Sequence, residues 1–453
     1  MGVLYIVLFC FSILLWQLNK RAASLFCFIL FLEKGLYIIP QELGGIKLTH
    51  LAFGYIVVII TLNYRQIKFF SKKHQNVVVR LLLLISFFVS SIIFSIFYYG
   101  FPPALCITTG LRYFVLLSFF VFPLAKIGEY NRLIKWLFYV TFATAILYIG
   151  QCILGIQLLS YNLEHSGYAV HNGLFRWYNF PPFGEFFMYF AFFMPGVIPK
   201  KFRLLSTIVF PLAIILSNSR GFIFTSGLNL FIISYLTGNL KKNLKMLIGV
   251  ILLVVITSGY LFSRMENEGK TSKDIELIIA GDFSQAEYDS RGGLTLLYRF
   301  AWIKERFNYL EKRPFVEMLY GLGMITDESK AAKQTYRFRY GLVNKENGTT
   351  YQIRTPDIAW GNFLTCYGVL GTVLFFIFYF SLWKSIRTYS EDVLSKILES
   401  YMLVLLLMSF TGSSISEPYN MSPIFLWYSM ILRNSNKLKH YNYESRTHRV
   451  RIG

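Results

Sequence analysis

The apolar positions of this chain come in unbroken runs of roughly 17–25 residues. Neither the period of an amphipathic helix nor the alternation of a half-buried strand organises them. Runs of that length match the thickness of a bilayer's hydrocarbon core. About thirteen spans follow, near 2–18, 22–39, 46–64, 77–99, 104–125, 133–159, 184–199, 202–218, 220–237, 243–262, 358–383, 396–412 and 419–433. No basic segment precedes residues 2–18 and no small-residue cleavage site follows them, so they read as a first span and not as a removable signal. The pattern predicts an all-α integral membrane protein.

The polar positions between the runs give an orientation. Every second connection is basic: Lys20 and Arg21; Arg65, Lys68, Lys72, Lys73 and Arg80; Lys126, Arg132 and Lys135; Lys200, Lys201 and Arg203; Lys241, Lys242 and Lys245; Lys384, Arg387 and Lys396. The alternate short connections, PQELGG, YYGFPP and TGSSISEPYNMS, hold neither lysine nor arginine. The positive-inside rule then puts the N-terminus outside and the C-terminus in the cytoplasm. The resulting organisation is a bundle over 1–262 with an external segment at 160–184, a large external loop over 263–357 carrying short amphipathic helices, further spans over 358–433, and a basic cytoplasmic tail over 434–453. Connections as long as these two external segments usually carry function.

Composition agrees. Of 453 residues 55% are hydrophobic and 15% charged, against about a quarter charged in soluble domains. The net charge of +21 sits in the short inner connections, and the large external loop is balanced, so nucleic acid is not an expected partner. Cys10, Cys27, Cys106, Cys152 and Cys366 all fall within apolar runs, without disulfide or metal spacing, and the six histidines form no ligand pattern.

Within the loop, residues 294–313 predict an amphipathic helix with Leu296, Phe300, Ile303, Phe307 and Leu310 on one face, edged by Arg299, Arg306 and Arg313. Such a helix either lies at a membrane surface or packs on the rest of the loop. Three further charges stand apart from the topology. Arg220 lies in SNSRG at an outer mouth, Arg176 in the external segment 160–184, and Arg112 inside a span, about 12 Å deep by the helical rise. An intramembrane charge needs a partner, and Glu33, at matching depth, is the expected one. Outer arginines suit a diphosphate, because the planar guanidinium binds phosphate oxygens bidentately; Arg220 as a plain interfacial anchor is the alternative.

Four segments resemble the O-antigen polymerase and O-antigen ligase superfamily of bacterial envelope glycosyltransferases: GLFRWYNFPPFGEFF, SNSRG, RFAW with Pro314, Gly321 and Gly323 after it, and PDIAWGNFLTCYGVLG. Together they cover roughly residues 165–383. Where ligases of the family carry a histidine, this chain has Asp357, which favours the polymerase branch. The resemblance implies a multi-pass protein of the bacterial cytoplasmic membrane. It would move a glycan from a polyprenyl diphosphate to a sugar hydroxyl of another lipid-linked unit, without metal or other cofactor, alongside flippase and chain-length regulator partners. Arg220 and Arg299, then Arg176 and Arg291, are the expected diphosphate ligands. Asp357 is the expected base or a helix cap, with Glu185 and His171 behind it, and Arg112 is a further binding candidate. Ligation to another acceptor, or transport of lipid-linked oligosaccharide without chemistry, are the alternatives. Gly321 and Gly323 read equally as a simple turn.

Overall fold

The computed structural model describes residues 3–160, 169–171, 174–217, 219–238, 271–284, 286, 296–327, 329–343, 350–354, 358–410 and 412–434. Helices dominate. Among the described residues, Gln75–Phe97, Ile127–Leu154, Ala359–Arg387 and Val393–Phe410 are long and apolar enough to cross a membrane. Two bent pairs bring the number to six: Leu48–Leu62 with Tyr64–Lys73, at 88°, and Pro103–Gly110 with Tyr113–Leu124, at 43°. Shorter apolar helices include Val3–Gln17, Arg21–Leu32 and Gly184–Phe193. This is an all-α architecture of the membrane type. The expected span at 243–262 lies outside the described residues.

In chain order the helices used below are α1 (Val3–Gln17), α2 (Arg21–Leu32), α3 (Leu48–Leu62), α4 (Tyr64–Lys73), α5 (Gln75–Phe97), α6 (Pro103–Gly110), α7 (Ile127–Leu154), α8 (Gly184–Phe193), α9 (Arg203–Leu216) and α10 (Arg220–Leu236). There follow α11 (Thr271–Ala280), α12 (Leu296–Glu311), α13 (Phe315–Tyr320), α14 (Lys330–Thr335), α15 (Ala359–Asn362), α16 (Gly368–Arg387), α17 (Val393–Leu407) and α18 (422–434). The strands are three short antiparallel hairpins, among them Ala169–His171 with Leu174–Arg176.

Packing follows the apolar faces. α2 is flanked by α1, α3 and α7, while α5 lies along α16, α8 along α9, and α10 along α17. Buried residues from nearly every helix form one core, with Trp427 of α18 ringed by Phe183, Phe186, Phe187 and Phe190. One end of the bundle gathers the long connections. There Ser160 donates its backbone N–H to Tyr37, Met324 to the Ser95 hydroxyl, and Leu322 to Thr365. At the other end Arg21 caps the carbonyl of Leu124, and Arg433 that of Pro123.

Three local departures from the expected spans matter. The second apolar run is helical only to Leu32, and Lys34, Gly35, Leu36 and Tyr37 then take left-handed backbone. The basic stretch 64–73, expected as a loop, is helix α4, turned almost at right angles to α3. One of its faces buries Ile67 while its lysines stay outward. The run at 104–125 breaks at Leu111–Arg112 and continues as 3-10 helix over Tyr113–Phe120.

Candidate functional site

The segment Trp177–Phe183 is held by α7. Tyr148 donates to the carbonyl of Trp177 (2.9 Å), Trp177 Nε1 to that of Gln151 (3.0 Å), and Gln151 to the fully buried Asn179 side chain. The asparagine and prolines of NFPPF thus shape an irregular turn whose polar groups are paired inside the protein, as a turn at this depth must be. Phe180 then meets Phe222 edge-on (4.7 Å), which sets the turn beside the first turn of α10. Ser219 of SNSRG caps that helix, accepting from Phe222 N–H.

The opposite flank of α10 faces Met408, the nearest side chain to Gly221. Met408–Gly412 also receive the start of the last long apolar run. Ala359 N–H donates to the Gly412 carbonyl, and Trp360 Nε1 to the Ser409 hydroxyl at 3.1 Å. α12 packs over α15 and the π-helical turn that follows it. Trp177–Phe183, the first turn of α10 and the start of the last long apolar run are therefore brought together around Met408–Gly412, and α12, which carries Arg299, lies over α15.

A second feature lies beside them. Phe363–Tyr367 forms a π turn, a geometry frequent at functional sites. It faces the break at Arg112, with the Tyr113 and Tyr367 rings 5.4 Å apart. The turn is fixed from the loop side by Gly321-Leu322-Gly323. Gly321 has φ +74, and a Cβ there would strike the Thr365 carbonyl oxygen; a Cβ on Gly368 would strike that of Leu319. Tyr99 seals the crossing by donating to the Gly321 carbonyl (2.7 Å). Gly321 is thus more than a turn residue: with Gly368 it lets two backbones touch where no side chain fits, while Gly323 faces the side chains of Phe101, Tyr99 and Ser95.

At the break, Arg112 and Arg354 both donate to the Tyr113 hydroxyl, at 3.4 and 3.0 Å. Glu417, Tyr419 and Cys366 are electrostatic neighbours of Arg112. Asp327 faces both Arg112 and Arg306, and accepts from Ile353 N–H at 2.6 Å. Burial lifts the Asp327 carboxyl to about 6, against the pull of those N–H groups and cations.

The expected Glu33–Arg112 pair does not form. α2 ends at Leu32, and the Glu33 carboxylate accepts from Ser422 at the head of α18. Equal depth was no guide to adjacency, because α2 packs on α1, α3 and α7 whereas α6 packs on α5. The expected face of α12 is also displaced. The helix buries Tyr298, Trp302, Arg306 and Leu310 and leaves Phe307 exposed, so it packs on the loop itself. Arg306, fully buried, lies between the Trp302 and Phe338 rings at 4.0 and 4.4 Å and pairs with Glu305 at 2.9 Å. Burial pulls its pKa down to about 9, which leaves it charged at neutral pH.

Of the other expected site residues, Arg299 is half-buried on α12 and Arg176 lies over the Tyr178 ring at 4.9 Å. Glu185 is committed to a network between helices, accepting from Tyr189, Ser226 and Asn229. Asp357 and Arg291 lie outside the described residues, as do the side chains of Arg220 and His171. α15 begins at Ala359 with Ile358 at the cap position, so Asp357 stands one residue ahead of the cap. Sequence reasoning passed over Arg354, Asp327 and Glu417. Only the SEP triplet, an acid in an otherwise uncharged connection, offered a signal for one of them.

Fold and site together define a class: a largely helical protein of the membrane type, with arginines gathered at its loop-bearing end around a broken helix and a π turn. The chain matches no protein-family model and no curated protein.

Proposed function

We propose that this protein polymerises lipid-linked oligosaccharide repeat units at the outer face of a bacterial cytoplasmic membrane, as an O-antigen-type polymerase. In this reading it crosses the membrane about thirteen times, with the loop-bearing end outside and the C-terminus in the cytoplasm. The observation that supports it is that three of the four segments resembling the polymerase superfamily meet around Met408–Gly412, while the helix carrying the fourth, RFAW, packs over the start of α15.

The chemistry suits that setting. The acceptor hydroxyl oxygen bonds to the anomeric carbon of the donor sugar, and the bond from that carbon to the diphosphate oxygen breaks. The diphosphate leaves with the electron pair, and the hydroxyl proton passes to a carboxylate, for which Asp357 is placed by sequence at the head of α15. Charge grows on the leaving group, so preorganised arginines lower the barrier; Arg220 and Arg299 are assigned that work. No resident metal is needed in this scheme, since guanidinium groups neutralise the leaving diphosphate.

The test is incubation of the purified protein with lipid-linked repeat units. A ladder of products on a gel is the expected result. Unchanged units that are consumed only when a different acceptor is added would make it a ligase. Units that cross a vesicle bilayer without any new bond would make it a transporter.

A further inference from the structure

Arginines in this chain are used in two ways. Arg306 is the structural kind: fully buried, stacked between two rings, bonded to the carbonyls of Gln352 and Trp302, and paired with Glu305. Arg112 and Arg354 are the other kind. Each guanidinium carries five N–H donors, yet among the described residues each makes a single hydrogen bond, to the same Tyr113 hydroxyl. Their Nε atoms are enclosed without an acceptor, and neither has a carboxylate within ion-pair distance among the described residues. Both side chains are only half-buried. Glu417 and Asp327 favour the Arg112 charge from nearby, but with no carboxylate bonded to either guanidinium among the described residues, most of the donors stay open to a ligand with two anionic groups.

We propose that Arg112, Arg354 and the Tyr113 hydroxyl form a diphosphate-binding site, occupied by the diphosphate of the polyprenyl-linked donor. This rests on the functional reading above and places Arg112, Arg354 and Tyr113 on the same leaving group as Arg220 and Arg299. Two guanidinium forks can each grip one phosphate, and Tyr113, which accepts from both arginines, keeps its own proton to donate to a phosphate oxygen. The site lies where an apolar run breaks, between Pro103–Gly110 and Tyr113–Leu124, beside the π turn. Broken helices of this kind hold polar ligands of membrane proteins at depth, which suits a head group whose tail stays in lipid. Arg354 also precedes Asp357 by three residues, a chain reach of at most about 10 Å. Leaving group and base then share one reaction volume.

The full-length protein in nanodiscs is titrated with a polyprenyl diphosphate and, separately, with inorganic pyrophosphate, following tryptophan fluorescence. The lipid should bind, pyrophosphate should compete with it, and Arg112→Gln and Arg354→Gln should each weaken binding at least tenfold. Arg354→Lys should fall between. Tyr113→Phe keeps the ring that stacks on Phe88 at 4.2 Å, so it should weaken binding several-fold at an unchanged unfolding temperature. Wild-type affinity in both Arg354→Gln and Tyr113→Phe, in a protein that still builds a ladder, overturns this site and leaves the functional reading standing. Binding of pyrophosphate without the lipid overturns the assignment to the donor. A wild-type protein that neither binds the lipid nor makes a ladder takes the functional reading down as well.

Discussion

Asp327 shows how much a single residue can link loop to cleft. Its carboxylate accepts from the backbone of Ile353, facing Arg112 and Arg306, and burial raises it from an ordinary value near 3.8 to about 6. A raised acid favours the folded state when protonated. Its contribution is therefore complete below pH ~4 and lost as pH rises through about 6, a swing of up to roughly 3 kcal/mol at 1.4 kcal/mol per unit. Corrected for the intrinsic pH dependence of exchange, protection against global unfolding should be higher at pH 4.5 than at pH 7.5, and Asp327→Asn should reduce that difference; an equal difference in the variant would remove Asp327 as its source. Asp357 offers a sharper contrast. With Ile358 at the cap position, capping does not require an acid at 357, so Asp357→Asn should abolish ladder formation while the protein still inserts. Full activity would leave the proposed chemistry without its base. For Arg220, alanine should cost about 2–4 kcal/mol of transition-state stabilisation, the scale of other preorganised donors. Lysine should cost less but still substantially, since it keeps charge and loses the fork; the readout is ladder formation per unit of protein in membranes. Arg220 and Arg176 were visible in the sequence because a positive charge outside breaks a rule. Arg354 was not, because an arginine in a loop breaks none until Tyr113, 241 residues away, is folded against it.

Elements repeat that division. The apolar runs located helices well: 77–99 was expected and Gln75–Phe97 is found; 133–159 was expected and Ile127–Leu154 is found. Their interruptions were hidden. Nothing in LRYF marks a break and nothing in FLTCY marks a π turn, since both arise from contacts between distant segments rather than from local period. The face of α12 moved for the same reason: Phe338 and Glu305 give Arg306 an interior place that a hydrophobic count assigns to Phe300 or Ile303. The glycine crossing gives this scale its prediction. Gly321→Ala places a Cβ against the Thr365 carbonyl in a backbone region reserved for glycine. The variant should lose on the order of 2–4 kcal/mol, read as a fall in unfolding temperature in detergent, whereas Gly227→Ala, which has open space at its Cβ, should be close to neutral. Equal behaviour of the two would show that the backbones separate easily.

For the whole molecule the alternation of basic and charge-free connections predicts that loops sort to two sides of a membrane. Composition could not foresee which helices touch, and the mistaken Glu33–Arg112 pair is the measure of that. Orientation in the membrane remains a prediction with a direct check. A cysteine introduced near Asn347 should react with an impermeant reagent applied from outside, and one near Gln75 should not; the reverse pattern would invert the topology and put the cleft in the cytoplasm.

The meeting of Gly321 with Gly368 has a mechanical consequence. Because bare backbone rests on bare backbone, with the Leu322 N–H bonded to Thr365, there is no compliant side-chain layer between the loop and the helix that begins at Gly368. A displacement of residues 317–324 is therefore transmitted to the start of α16, and α16 lies along α5. The loop is in effect the head of a lever rather than a flap.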